Sequence, residues 1–347
     1  MNDLQGELAT AAVAAAAAGA AMGGPAGGPA ESPAGAATGS PAGTVTGSPA
    51  GAAMQSLAGA AMQSPAGAAA ESPAGAAVRV SVVTYAAGRV ERRPDLLAAE
   101  EPLEMRISAE EGGRRVHHSV AVTMRTPGHD FELAAGFCLS EGIVAAREAI
   151  WSIAHCQETE EPNVVEVCLR PGAPFDARRF TRNVYTTSSC GVCGKTSIDL
   201  VRAVCPARPV GRERIARETL TRLPETLRQA QPVFSRTGGL HAAGLFDAAG
   251  RLLLLHEDVG RHNALDKLIG RLLLDGALPA SDRLLLVSGR ASFELVQKAL
   301  AAGIPLLAAV GAPSSLAVEL AHELGLTLIG FLRDGRFNVY AGEERIA

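Results

Sequence analysis

The chain has 347 residues with 32 basic and 36 acidic side chains, which gives a formal net charge of −4. Residues 1–77 contain no Lys, Arg, His or Cys, and their four acids account for that whole net charge. The rest of the chain is electrically balanced, which excludes the broad basic surface of a non-specific nucleic-acid binder, so we predict no nucleic-acid partner. Its longest strongly apolar runs, such as Leu252–Leu255, are far too short to span a bilayer, so we predict no membrane partner.

Residues 1–77 repeat an eight-residue unit that reads roughly Ser-Pro-Ala-Gly-Ala-Ala followed by two variable residues. The units open at Ser32, Ser40, Ser48, Ser56, Ser64 and Ser72. Such units carry almost no bulky apolar side chain, so they cannot bury enough surface to offset the entropy lost on ordering. We therefore predict a disordered tail over residues 1–77 and one domain over residues 78–347.

All six cysteines lie between Cys138 and Cys205. No secretory signal precedes them, because the alanine run Ala11–Ala21 lacks a basic flank and alanine is only weakly apolar. These features predict a reduced, cytoplasmic protein.

The first half of the domain combines strands with one helix. Alternating apolar residues predict the strands Val78–Tyr85, Val116–Met124, Trp151–Ala154 and Val164–Leu169. Between them a helix is predicted over Phe131–Ser140, with Asp130 as its N-cap and Gly142 just past its end.

The last hundred residues alternate strands and helices. Strands are predicted at Arg251–His256, which reads as buried, and at Arg283–Val287, Ile304–Val310, Leu326–Phe331 and Phe337–Tyr340. Helices are predicted at Asn263–Leu274, Ser292–Ala301 and Ser314–Leu324. This alternation predicts an α/β fold, a layered α/β/α domain in which ligands gather where strands end and helices begin.

Cys190 and Cys193 bracket Gly191 and Val192, a spacing that lets both sulfurs face one small space. Lys195 supplies a nearby positive charge, and the short helix predicted to follow adds the positive end of its dipole. Both effects favour the thiolate, which is the form that attacks another sulfur. We therefore predict a reactive dithiol.

Three interpretations fit this pair. Structural zinc needs four ligands, but Pro206 follows Cys205 and no second pair is present, so zinc is disfavoured and we predict no intrinsic metal. A thioredoxin-like oxidoreductase would carry the pair after an early strand of a small domain, and a sulfur carrier would hold a persulfide on one cysteine while the other assists. The dithiol alone does not choose between the last two. The other cysteines (138, 156, 168 and 205) are interpreted as structural.

Three strand-to-helix turns suit an anion. At the first, Asp258 is expected to cap a helix, and Arg261 and His262 lie near its N-terminal N–H groups. The turns Ser288-Gly289-Arg290 and Gly311–Ser314 repeat the arrangement. Three such turns in succession predict a ligand that carries phosphate.

Arg333 and Arg336 flank the turn Asp334-Gly335 at a fourth strand end, and paired arginines can grip phosphate in a bidentate way. The sequence contains no Walker motif and no dinucleotide-binding fingerprint, so it does not support ATP or nicotinamide chemistry. A zinc deaminase would need Pro-Cys-x-x-Cys where Ser288-Gly289-Arg290 stands, which disfavours deamination but not a related fold.

Five sequence blocks together resemble one family, the formate dehydrogenase accessory sulfurtransferases (the FdhD family). The resemblance extends from about Val80 to Arg345 and does not include the tail. The blocks are Arg125-Thr126-Pro127-Gly128-His129-Asp130, Ser189-Cys190-Gly191-Val192-Cys193-Gly194, Thr237-Gly238-Gly239-Leu240-His241, Glu257-Asp258-Val259-Gly260-Arg261-His262-Asn263-Ala264 and Ser288-Gly289-Arg290.

The resemblance implies a fold related to cytidine deaminases without their zinc, and a homodimer. It implies that a cysteine desulfurase supplies sulfur, which passes to the molybdenum (or tungsten) bis(molybdopterin guanine dinucleotide) cofactor as bound substrate and so activates formate dehydrogenase. It places the catalytic dithiol at Cys190 and Cys193 and a cofactor-binding stretch at Phe331, Leu332, Arg333, Asp334, Gly335 and Arg336. Arg261, Ser288 and Arg290 complete the binding site that we predict.

Two function classes stay open at this point: a sulfur carrier, and a chaperone that binds and protects the cofactor without transferring sulfur. For a carrier, we predict the persulfide on Cys190. This cysteine closes the extended segment Asn183–Ser189, where a bulky partner can reach it, whereas Cys193 lies next to the predicted helix start.

Overall fold

The computed structural model describes residues 75–156, 163–180, 209, 211 and 214–347. The predicted tail up to residue 74, the dithiol Cys190 and Cys193, and Cys205 lie outside these residues. The strands are β1 (Ala77–Ala86), β2 (Arg89–Ala98), β3 (Glu101–Glu111), β4 (Arg114–Arg125), β5 (Ile150–His155), β6 (Val164–Leu169), β7 (His241–Phe246), β8 (Leu252–Asp258), β9 (Leu284–Val287), β10 (Leu306–Ala309), β11 (Thr327–Arg333) and β12 (Arg336–Ala341). The helices are α1 (Asp130–Ser140), α2 (Arg217–Gln229), α3 (Phe234–Thr237), α4 (Arg261–Leu274), α5 (Phe293–Ala301) and α6 (Ser315–Leu324).

A six-stranded sheet has the order β12-β11-β10-β9-β7-β8. Strands β9, β10 and β11 run parallel, and β7 is antiparallel to both of its neighbours. Strand β8 therefore runs in the same direction as β9. The carboxyl ends of β8, β9, β10 and β11 consequently lie at one edge of the sheet, together with the starts of β7 and β12. We call this edge the carboxyl edge.

Helices cover both faces of this sheet. On one face, Leu220 and Leu223 of α2 share a buried cluster with Leu286 of β9. On the other face, helices α4, α5 and α6 pack in a larger core, in which Leu268 of α4 joins Leu285 of β9. These layers confirm the predicted α/β fold class. The predicted relation to cytidine deaminases stays a prediction.

A second sheet, with the order β4-β3-β6-β5, shares the larger core with α1. Helices α1 and α4 cross in close contact at two glycines. A Cβ on Gly136 would lie 1.9 Å from the carbonyl oxygen of Asp266, and one on Gly270 would lie 1.8 Å from that of Glu132. Only glycine lets the two backbones approach this closely, so α1 and the second sheet are held firmly against α4.

Several elements differ from the prediction. Strand β8 was predicted as buried, but it is the outer strand of its sheet and its four leucines are only half-buried. Strands β2, β3 and β7 and helices α2 and α3 were not predicted. Among the described residues, β2 pairs with β1 alone, and it contains Pro94. In β7 the small residues Ala242-Ala243-Gly244 follow His241. Neither strand therefore shows the apolar alternation typical of a strand.

The start of α1 also corrects the prediction. Its N-cap is His129, in the left-handed region at φ 58° and ψ 36°, and Asp130 is the first helical residue. The Asp130 carboxylate does not cap the helix, because both of its oxygens accept hydrogen bonds from the buried guanidinium of Arg125, each at 2.9 Å. Gly142 follows the end of the helix at φ 68°, as predicted.

Deleting residues 1–74 is expected to leave the free energy of unfolding unchanged, because the repeats carry no surface that can pack. A deletion through residue 77 should instead cost about 1 kcal/mol, because Ala76 is buried against Val233 and Leu240 and its carbonyl accepts the N–H of Ala99 at 2.9 Å. Urea unfolding of the two truncations and the full chain measures both effects. A large loss of stability in the shorter deletion would contradict the prediction for the tail.

Candidate functional site

The carboxyl edge brings the predicted binding residues into one row. Arg261 follows β8, Ser288 and Arg290 follow β9, and Phe331–Arg336 spans the turn from β11 to β12. The ends of β8 and β11 are separated by four strand spacings, roughly 19 Å. The row therefore suits an extended ligand better than a single small anion.

Backbone hydrogen bonds join neighbouring turns along this row. The N–H of Ser288 donates to the carbonyl of Ala242 at 3.0 Å, and the Ser288 hydroxyl oxygen accepts the N–H of Ala242 at 2.9 Å. The N–H of Gly311 donates to Gly289 at 2.9 Å, and the N–H of Phe331 donates to Gly311 at 3.0 Å. The predicted binding residue Ser288 thus serves at least to extend the β7–β9 pairing and fix the turn beside it.

Arg261 is the first residue of α4 and is half-buried. Its side chain extends over the turn after β9, so that its Cδ lies 3.9 Å from the position that a Cβ on Gly289 would occupy. The Nε of Arg261 is buried and has no hydrogen-bond partner among the described residues. A buried donor without a partner is costly, and a cation beside the N-terminus of a helix is well placed to receive an anion.

His241 lies beside Arg261 at the turn after β9, although no role was predicted for it. It is the first residue of β7, opposite Asp258 in the β7–β8 pair, and its Nδ1 lies 3.4 Å from the position of that same Gly289 Cβ. Burial lowers the pKa of His241, and the positive charges of Arg261 and His262 lower it further, against the opposing effect of Asp258. The imidazole is therefore neutral near pH 7. The only sequence signal was a histidine directly after the Gly-Gly-Leu turn.

His262, which the sequence analysis also placed near an anion, contacts α5 instead. Its Nε2 lies 3.3 Å from the hydroxyl of Ser292 and 3.7 Å from the carboxylate of Glu294. The nearby His262 side chain is the main reason that the pKa of Glu294 falls to about 2. Because Glu294 is then ionised at all physiological pH values, it competes with any external anion for His262.

Asp258 does not cap α4, whose N-cap is Gly260. It is fully buried, and its carboxylate accepts hydrogen bonds from the N–H of Gly260 at 2.8 Å and from the side chain of Asn263 at 3.1 Å. It also accepts the N–H of Thr126 at 3.1 Å and lies 2.7 Å from the ammonium of Lys267. Asp258 therefore anchors the turn that positions Arg261 and His262.

Thr126 connects two of the sequence blocks that are far apart in the chain. Its hydroxyl accepts the N–H of Val259 at 3.1 Å, and its carbonyl accepts a hydrogen bond from Lys267 at 2.8 Å. Together with Asp258, these contacts fasten the segment 125–130 to the segment 257–264. The two blocks therefore support the site by holding the β8–α4 turn in place.

The predicted binding stretch Phe331–Arg336, at the turn from β11 to β12, contains both buried and exposed residues. Phe331 is half-buried with φ 53°, and the guanidinium carbon of Arg333 lies 5.9 Å from the centre of its ring. Residues 333–336 are exposed, as is Arg290 after β9. Leu332, predicted as a binding residue, is instead fully buried in the core beneath α2. It packs in the same cluster as Ile329, three residues earlier, because a register shift between Gly330 and Arg333 interrupts the strand alternation, so its side chain is not available to a ligand.

Three of the predicted structural cysteines lie in the described part of the chain, and none of them forms a disulfide. Cys138 is buried, and burial raises the pKa of its thiol strongly, so this thiol is not nucleophilic near pH 7. Cys156 and Cys168 are half-buried. Within the described ranges no helix is long and apolar enough to cross a membrane.

Acid should destabilise the fold through His256, which is 5% exposed and stacks edge-on against His129 with ring centres 4.6 Å apart. Burial, then His129, lowers its pKa to about 3, while Glu132 opposes the shift. The unfolded chain therefore binds the extra proton below about pH 6.5, and stability falls by about 2 kcal/mol between pH 7 and pH 5.

Urea unfolding at both pH values, for the natural protein and His256→Gln, measures this contribution. The variant removes the titrating ring, so its stability should change by about 2 kcal/mol less over the same interval. An equal pH dependence of the two proteins would show that His256 is not the acid-sensitive group.

Comparisons with known proteins cover this whole domain. A sequence model of the FdhD/NarQ family matches residues 98–347. The sulfur carrier protein FdhD of Streptomyces avermitilis is 53% identical over 279 residues, which cover 78% of this chain and 95% of that protein. The protein of the same name from Mycolicibacterium paratuberculosis is 52% identical over 274 residues, with 77% and 98% covered. A crystal structure from Desulfotalea psychrophila, described as a candidate formate dehydrogenase accessory protein, matches with a TM-score of 0.59 and 25% identity over 78% of this chain and 99% of that one.

Proposed function

The chain belongs to the FdhD/NarQ family, and we propose that it carries sulfur from a cysteine desulfurase to the molybdenum (or tungsten) bis(molybdopterin guanine dinucleotide) cofactor of a formate dehydrogenase. Its relatives are named sulfur carrier proteins, which supports the chemistry. The observation that carries the proposal is the row of residues along the carboxyl edge. Arg261 at one end and Arg333 and Arg336 near the other offer positive charge over a length that suits a dinucleotide.

Sulfur loading would begin with attack by the Cys190 thiolate on the terminal sulfur of the donor's persulfide. A new S–S bond forms on Cys190, the S–S bond of the donor breaks, and the donor cysteine leaves as a thiolate. No external oxidant is needed, because one persulfide is exchanged for another. Lys195 supports the reaction by favouring the thiolate form of the attacking cysteine.

Sulfur release would use the second thiol. Attack by Cys193 on the inner sulfur of the Cys190 persulfide forms a Cys190–Cys193 disulfide and expels the terminal sulfur as hydrosulfide. The two cysteine sulfurs supply the two electrons that the departing sulfur gains. A small dithiol reductant then restores both thiols.

The cofactor is the substrate of this transfer, and the chain's part is to bind and orient it. The buried Nε of Arg261 needs an anionic partner, which a phosphate supplies. The N-termini of α4, α5 and α6 all begin at the same edge and add their dipoles. The exposed guanidinium groups of Arg333 and Arg336 can grip a second phosphate.

Intact-mass spectrometry tests the proposed loading. After incubation with a cysteine desulfurase and cysteine, the protein should gain the mass of one sulfur atom, and peptide mapping should place it on Cys190. A gain on Cys193 with Cys190 unmodified would contradict the choice of carrier. The absence of any gain would contradict the sulfur-carrier function itself.

The guanine-dinucleotide site predicts that GDP binds more tightly than ADP and that an Arg333→Ala, Arg336→Ala double variant weakens GDP binding. Loss of about 3 kcal/mol from two charge-assisted contacts corresponds to roughly a hundredfold in affinity. Calorimetry measures both effects. An Arg79→Ala, Arg92→Ala double variant on the exposed β1–β2 hairpin removes the same charge and serves as the control. If the Arg333→Ala, Arg336→Ala variant and the control bind GDP with equal affinity, Arg333 and Arg336 are not part of the binding site.

A further inference from the structure

The hairpin formed by β1 and β2, which we call the arm, takes part in neither of the clusters that cover the six-stranded sheet. None of residues 77–98 is buried, although Ala76 and Ala99 on either side of them are. Among the described residues, β1 and β2 pair with each other alone. A two-stranded hairpin is marginally stable by itself in water, so an arm of this length gains stability from a partner that covers it.

One face of the arm exposes large apolar side chains. Directly opposed residues of an antiparallel pair share a face, and Tyr85 lies opposite Val90. One pair further from the tip on the same face, Val83 lies opposite Arg92. We call this face, with the odd-numbered residues 79–85 and the even-numbered residues 90–96, the Tyr85 face. Tyr85 is 78% exposed and Val90 is 64% exposed, and exposed apolar side chains that lie together mark an interaction site.

The charge on the Tyr85 face is entirely positive. Its charged residues are Arg79 and Arg92, and both are exposed. The two acids of the arm, Glu91 and Asp95, lie on the opposite face, where Asp95 pairs with an arginine of its own strand. A complementary partner therefore presents carboxylates around an apolar contact.

The arm begins at the carboxyl edge. Ala76, at its base, is buried in a cluster with Leu240, the residue that directly precedes β7. Val259, which directly follows β8, packs against the same cluster. The start of β7 and the end of β8 both lie at the carboxyl edge, so a protein that docks on the arm lies beside the site proposed for the cofactor.

We propose that the Tyr85 face docks the formate dehydrogenase that receives the cofactor, through a segment of that enzyme in which carboxylates flank an apolar side chain. This inference rests on the proposed function, which brings the cofactor and the enzyme that takes it up to the carboxyl edge. The cysteine desulfurase is not tied to this edge, because it reacts with a thiol of the chain and not with the bound cofactor.

The charge pattern disfavours other occupants. Contact with a second copy of the chain across a two-fold axis would bring the arginines of two Tyr85 faces together without a carboxylate to balance them. The affinity of a protein for nucleic acid grows with the number of phosphate contacts, and this face offers only two cations.

Binding of apo formate dehydrogenase to the full-length protein, measured by biolayer interferometry, tests the proposal. The face variant Tyr85→Ser, Arg92→Glu removes an aromatic anchor and reverses a charge, so it should bind roughly tenfold more weakly or worse. The control variant Val82→Ser, Arg89→Glu makes the same kinds of change on the opposite face of the arm and should bind as the natural protein does. Both variants should load persulfide and bind GDP normally.

A shortened arm separates loss of the face from damage to the fold. Replacing residues 81–94 with Asn-Gly keeps the pair of Val80 and Asp95 and the base of the arm. This protein should lose enzyme binding at least as fully as the face variant does, while its GDP binding stays unchanged.

Natural enzyme binding by the face variant or by the shortened arm would overturn the inference, as would equal weakening in the face variant and the control. Absence of binding by the natural protein would overturn it as well. If the face variant keeps enzyme binding but loses persulfide loading, self-association in sedimentation velocity or binding to double-stranded DNA, the face belongs to one of those other partners. Failure of the natural protein to load persulfide would instead overturn the proposed function, and the binding measurement, which needs no sulfur, distinguishes the two failures.

Discussion

Replacing Cys190 with serine is expected to abolish sulfur transfer while leaving GDP binding unchanged. A serine hydroxyl cannot form a persulfide, so no residual route through this residue remains. The nucleotide contacts proposed here come from the carboxyl edge and do not involve the thiol. Transfer of radioactive sulfur from cysteine to the cofactor of apo formate dehydrogenase, with calorimetry on the same preparation, measures the two properties separately.

Cys156→Ser is the matched control for Cys190→Ser, because Cys156 is a half-buried cysteine that directly follows β5 and is hydrogen-bonded through its backbone to β6 of the second sheet. It should transfer sulfur at the natural rate. Full transfer by Cys190→Ser would refute the carrier assignment. If both variants support transfer at the natural rate and still bind GDP, the result would favour the alternative function of a chaperone that binds the cofactor without donating sulfur.

Lys267→Met is expected to destabilise the fold by about 3–5 kcal/mol, because it leaves the carboxylate of Asp258 buried without its cation. The two groups are 1% and 0% exposed and lie 2.7 Å apart. The double variant Lys267→Met, Asp258→Asn removes both charges, so it should cost less than the sum of the single variants. Urea unfolding of all four proteins gives the coupling free energy directly.

An exposed ion pair on the same helix provides the comparison. Arg271 and Asp275 lie 2.8 Å apart with half of the arginine side chain exposed, so Asp275→Asn should cost less than about 1 kcal/mol. Additive costs in the Lys267 and Asp258 cycle would show that the buried charges do not depend on each other. The β8–α4 turn would then be held by the hydrogen bonds of Asp258 alone.

The row of predicted binding residues shows how well positions at strand ends can be predicted from the sequence. The turns after β8, β9, β10 and β11 were all expected to carry ligand-binding residues, and the parallel direction of these strands does bring them to one edge. Leu332, which was predicted as a binding residue in the same stretch, is instead fully buried. Its neighbours Arg333 and Asp334 are exposed, and a one-residue step along a strand reverses the direction of the side chain.

The order of strands and helices could be predicted from the sequence because it depends on residues that are neighbours in the chain. Apolar periodicity of 3.6 and 2 residues, interrupted by glycine and proline, predicted the alternation of strands and helices after residue 250 to within two or three residues at most boundaries. The composition of the octapeptide repeats, which carry almost no bulky apolar side chain, predicts a tail separate from the domain, and that prediction falls outside the described residues.

The tertiary structure alone decided which of these elements meet. Insertion of the antiparallel strand β7 between β8 and β9 makes β8 an outer strand and brings His241 to the centre of the edge. The carboxylate of Asp258 accepts the N–H of Thr126, which is 132 positions away in the chain. Such contacts produce no periodic pattern in the sequence. They depend on which faces of distant elements become buried together, and not on the spacing of residues along any one element.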